Sequence, residues 1–202
     1  MPGCTRYVQW GKKQFIQADK CCDYAAQVRP FIRTIDAYDG FSTVGHFDLL
    51  WVSPEVRDVY ARAFACRRGV PNAQAQAFAD GIFKKFDDSV YFYLLMPDTT
   101  QGLQPCMDSK DPMSRWAVVL CNGETEYTPT DIRKIDLDPE IKVFFGKRFN
   151  KYRILYFVVF DRYSEDGTER FTQSSYTMSI RSSAYNVQAC WRSDEAQKVV
   201  CE

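Results

Sequence analysis

A single histidine stands among the 202 residues. His46 lies in TVGHFDLLW, and a Cys–His nucleophile pair needs it beside a thiol such as Cys66, because imidazole activates cysteine only within hydrogen-bond reach. No family signature frames either residue, so His46 is expected to be a packing or surface histidine between two helices. GFSTVG (Gly40–Gly45) has the spacing G-x-S-x-x-G rather than the G-x-S-x-G of a nucleophile elbow, and its glycines read as backbone punctuation. Asp136, Asp138 and Glu140 alternate in IDLDPE. The calcium-loop pattern is not met, and Asp138 is expected to cap a turn starting at Pro139. The spacings that cysteine and histidine need for zinc are missing. These residues imply no catalytic set, no metal site and no cofactor.

Two stretches have binding chemistry instead. FFGKRFNKYR (Phe144–Arg153) interleaves Lys147, Arg148 and Lys151 with aromatic rings, the mixture that holds single-stranded nucleic acid by charge and stacking. Lys plus Arg equals Asp plus Glu at 26 each, and a neutral chain gives no general electrostatic case for nucleic acid. The expectation is a polar loop leading into a central strand, its aromatics in the core, or a protein-contact patch where those rings are exposed. Phe47, Leu49, Leu50 and Trp51 crowd together just before the best helix, as hydrophobic core or as a partner-binding surface. The candidate interaction patch is these four with Lys147, Arg148 and Lys151.

The elements that position these residues follow from periodicity. Val28, Phe31, Ile32, Ile35 and Tyr38 recur at helical spacing, and Pro30 puts the firm start of that helix near Arg29. Ser53-Pro54-Glu55 opens a second helix and Arg67-Arg68-Gly69 closes it, matching cap and dipole preferences at both ends. A third begins at Asn72, with Phe78, Ile82 and Phe86 on one face. Beyond Asp88 the period changes to that of strands. Ser89–Met96, Asp131–Leu137 and Lys151–Phe160 are strand runs, the last apolar on both faces and hence central. Asn122-Gly123 signals a type I′ hairpin. Tyr176, Met178 and Ile180, then Tyr185, Val187, Ala189 and Trp191, alternate with polar residues as antiparallel strands do.

The expected fold class is therefore α+β, with a helical part over 24–86 and an antiparallel, immunoglobulin-like sandwich over 89–192. Residues 24–202 form one domain behind a tether of residues 1–23. Hydrophobic residues at 46% and charged residues at 26% suit a folded globular chain. The longest strongly apolar stretch, ILYFVVF, is strand-sized, far below the length of a membrane-spanning helix. Eight cysteines are many for a reduced compartment and include no C-x-x-C. Cys121 and Cys190 both fall in expected strands and are the candidate bridge.

Pro2-Gly3-Cys4 resembles the end of a bacterial lipobox, in which a small residue precedes the lipidated cysteine. On this motif, with TVGHFDLLWVSPEVRDVYA and FFGKRF, the chain resembles bacterial envelope lipoproteins. The resemblance implies acyl chains on Cys4, a tethered body at the periplasmic face of a membrane, and a lipid anchor as the sole membrane contact. It implies a non-enzymatic role in binding a protein partner or building an envelope assembly. The alternatives are an intracellular domain with free thiols, using a Cys/His pair, and nucleic-acid binding through residues 147–153.

Overall fold

The helical spacing of Val28, Phe31, Ile32 and Ile35 is misleading: the chain is extended from Ile32 onward. In the computed structural model, which describes residues 23–97, 116–136, 139–171 and 175–192, the first helix is only α1 (Tyr24–Val28). Pro30 sits in a 3-10 turn over Arg29–Phe31, and β1 (Ile32–Asp39) and β2 (Ser42–Trp51) follow. Ile32 joins one hydrophobic core and Ile35 packs on another. A strand that gives apolar residues to two cores on opposite faces loses clean alternation, and those residues can then imitate a helical period. The expected helical amino-terminal part is thus corrected. Apart from the five-residue α1, the helices are inserted among the strands instead of preceding them.

The two main helices, α2 (Pro54–Arg68) and α3 (Asn72–Phe83), lie between β2 and β3 (Ser89–Pro97). The Val56 N–H donates to Ser53 Oγ at 3.4 Å, and Gly69 closes α2 in the left-handed region at φ 65°. On α3 the fully buried face is Ala75, Ala79 and Phe83, one residue away from the expected Phe78, Ile82 and Phe86. The rest are β4 (Ala117–Asn122), β5 (Thr125–Tyr127), β6 (Asp131–Lys134), α4 (Pro139–Phe145), β7 (Arg153–Asp161), β8 (Ser175–Arg181) and β9 (Asn186–Arg192).

The fold is mixed α+β with two antiparallel sheets, ordered β1-β2-β3-β7-β6 and β5-β4-β8-β9. Alternate residues of the larger sheet serve two cores. Leu50, Tyr91, Leu95 and Phe157 pack against the helices. Phe47, Leu49, Phe92 and Val158 meet Leu120, Met178 and Trp191 of the smaller sheet. As expected, β7 is interior to its sheet, paired with β3 and β6.

Both tight hairpins put glycine at the first loop position. Asn122 pairs with Thr125, so the loop is Gly123-Glu124, and Gly123 has φ 63° while no described non-glycine residue has positive φ. Positive φ at the first loop position alone is the II′ pattern, not the expected I′. Gly40-Phe41 joins β1 to β2 in the same way, with Gly40 at φ 57°.

The expected Cys121–Cys190 bridge is corrected: both thiols are free. Thr177 of β8 pairs with each cysteine and stands between them. Two strand spacings are roughly 10 Å, beyond the Cα separation that a disulfide spans.

Gly45 is set by close packing. A Cβ there would lie 2.7 Å from the buried Phe47 ring and 3.2 Å from Trp116, whose rings already meet edge to face at 5.0 Å. Gly45→Ala is therefore expected to cost about 1–3 kcal/mol of overpacking, read as a lowered urea midpoint at unchanged m-value.

Candidate binding end and its buried polar network

β2 carries one carboxylate into the helix-side face of the sheet. Asp48 is 0% exposed, and a buried charge persists only when it is paired and hydrogen-bonded. Three elements answer it. Thr34 of β1 donates its hydroxyl to Oδ1, and Arg153 at the start of β7 donates from Nη1 to Oδ2. Arg148, from the 3-10 turn after α4, brings Nε to 3.2 Å from Oδ1.

Arg153 reaches across β3 to do this. Its side chain is 6% exposed, and Nη2 donates to the Leu95 carbonyl at 2.8 Å and the His46 carbonyl at 3.2 Å. Its Nε–H is buried without an acceptor, a deficit of about 1–3 kcal/mol. His46 completes the cluster from β2. Its Nδ1 donates to Asp36 of β1, and its Nε2 lies 3.5 Å from Asp48.

The network therefore places His46 between two carboxylates and beside none of the described thiols. Cys66 on α2 is in a disulfide, and Cys121 and Cys190 lie in the other sheet. No nucleophile–base pair is assembled among these residues. No group of three or more His, Cys, Asp or Glu able to hold a metal occurs among the described residues.

The sequence-derived patch divides. Phe47, Leu49 and Leu50 are buried, and fully burying each such side chain is worth about 1.5–3 kcal/mol. They stabilise the fold and offer no surface to a partner. Trp51 is partly buried, packed between Phe31 and Tyr176 at ring distances of 6.4 and 5.2 Å. Lys147, Arg148 and Lys151 are exposed as expected. Among their neighbouring aromatics, Phe144 and Phe145 are core and Tyr152 is open to solvent, so no row of stacking rings is presented. Cys4 and the tether up to residue 22 lie outside the described residues.

A different apolar surface takes the place of the buried one. β2 pairs with β3 only over Asp48–Trp51. Ser42–Phe47 run on with β1 as their described partner, projecting roughly 20 Å beyond Asp48 at strand rise. The apex is Phe41, 109% exposed, flanked by Tyr38 at 58% and Val44 at 40%. Val44 is the extra residue where the β1–β2 register shifts. Register puts the start of β7 at this same end, since Arg153 pairs with Pro97. The Lys147–Tyr152 turn therefore stands beside the hairpin, joined to β2 through Arg148 and Asp48. The β8–β9 turn is here too. Tyr185 stacks on Trp116 at 6.3 Å, and partial burial with the nearby Asp39 carboxylate pushes its phenol pKa up.

Sequence reasoning missed the tip, although AYDGFST contained its signal. Asp-Gly between strand-forming residues is a strong hairpin mark. Asp48 also had a signal, a lone acid inside the apolar run FDLLW.

No protein-family model, curated protein or solved structure matches this chain.

Arg153→Met strands a buried carboxylate and is expected to cost about 3–5 kcal/mol. Arg148→Met removes a half-exposed partner and should cost at most about 1 kcal/mol; paired urea titrations compare the two. Among the described cysteines, thiol labelling of unreduced native protein should find Cys190 reacting faster than Cys121, and Cys66 unreactive until reduction.

Proposed function

We propose that this chain is the folded body of a non-enzymatic bacterial envelope lipoprotein that docks a protein partner through its β1–β2 end. The carrying observation is Phe41, wholly exposed at the apex of a projecting hairpin with Tyr38 and Val44 beside it. Large apolar side chains gathered at one exposed point mark interaction sites. The adjoining Lys147 and Lys151 select an acidic partner surface by charge complementarity. The two facing sheets suit this use. We read the domain as a sandwich of the immunoglobulin-like kind with a helical layer added, presenting its partner at a loop end as such sandwiches do.

The polar cluster supports binding over catalysis, because His46 is held between Asp36 and Asp48 and meets none of the described thiols. The Cys66 disulfide supports an oxidising compartment, and Gly3-Cys4 supports anchoring there by acyl chains.

Placing a photo-crosslinking phenylalanine at position 41 in cells should yield one discrete adduct, weakened when Lys147→Glu and Lys151→Glu are added. The same probe at Thr125, on the opposite hairpin, should yield none. Equal adducts from both positions, or none from 41, would overturn the docking end. The intact mass of the gene product made in a bacterium should carry an acyl increment that Cys4→Ser removes, and an unmodified mass would overturn the anchor.

A further inference from the structure

The turn that carries Lys147 and Lys151 also walls a cleft that the docking end does not use. The cleft, about 380 Å³ in volume, lies where β6 ends, β7 begins and α4 packs beside them. Such a volume suits a small organic molecule. Ile135, Phe149 and Leu155 supply apolar walls, and Lys134, Lys142, Arg153 and Asp136 are its charged lining.

We propose that this cleft binds a small organic anion, a carboxylate or phosphate monoester with an apolar body. Its charge balance is positive. Among its described lining residues are three cations and one carboxylate. Arg153 is answered by Asp48, but Asp48 is shared with Arg148, so one carboxylate faces two guanidiniums and part of their charge is unanswered. The Nε–H of Arg153 is buried with no acceptor. Arg153 is at once pinned, desolvated and under-compensated, the condition in which a nearby anion is most strongly favoured. Lys134 and Lys142 are exposed and free to close on an oxyanion. Lys142 stands 5.4 Å from the centroid of Phe149, so a ligand oxygen and an apolar group would meet neighbouring surfaces. Asp136 can accept from a ligand hydroxyl or ammonium group.

The test is an amide NMR titration of the full chain with phenyl phosphate, benzoate and the neutral benzyl alcohol. At least one anion should give saturable shifts confined to residues around 134–136, 142, 149 and 153–155, and benzyl alcohol none. Whichever anion binds more tightly identifies the headgroup. Lys134→Glu with Lys142→Glu should weaken binding at least about tenfold, or 1.4 kcal/mol. Lys147→Glu with Lys151→Glu, outside the cleft, should leave it unchanged. All four positions are exposed, so the variants should keep the native spectrum. No saturation by either anion, equal shifts from benzyl alcohol, or equal loss from both lysine pairs would each overturn the proposal.

Discussion

A sheet buried on both faces cannot hold an unpaired charge, and Asp48 sits in such a sheet. Its neighbours along β2, Phe47, Leu49 and Leu50, are closed off on one side by helices and on the other by the smaller sheet. The carboxylate is tolerable only because Thr34, Arg148 and Arg153 converge on it. The desolvation of such a pair can rival its attraction, so the cluster is better understood as a fixer of geometry than as a source of stability. It ties β1, β2, β3, β7 and the turn after α4 into one arrangement.

That arrangement governs the surface features. Arg153 holds the first residue of β7 against the Leu95 and His46 carbonyls, which fixes where the preceding turn leaves the sheet. Lys147, Lys151 and Tyr152 consequently stand beside the projecting hairpin. On the other side of the same turn, Phe149 and Arg153 become walls of the cleft with Lys134 and Lys142. One buried contact thus sets both the basic flank of the projecting hairpin and the rear of the cleft.

Legibility tracked how many faces of an element are buried. Helix α2 was readable to the residue at both ends, because Ser53, Pro54 and Gly69 act through local backbone chemistry. β8 and β9 were readable because one face meets a core and the other meets water. β1 and β2 were not: β2 is buried on both faces only over Phe47–Leu50, and β1 gives Ile32 to one core and Ile35 to the other, a spacing that fits a helix equally well. The same ambiguity made FDLLW look like a docking patch, while the real apolar apex, Phe41, looked like a loop residue.

By itself the sequence determined the local elements whose signals are carried by a few adjacent residues: the caps of α2, the place of the Asn122-Gly123 hairpin, and the alternating strands. Tertiary structure alone decided that His46 faces Asp36 and Asp48, that Asp48 meets an arginine 105 positions away, and that Cys121 and Cys190 are kept apart by β8. The physical reason is that caps and turns are satisfied within one or two turns of chain. Charge pairing and disulfide reach depend on distances set by strand order, which no local pattern encodes.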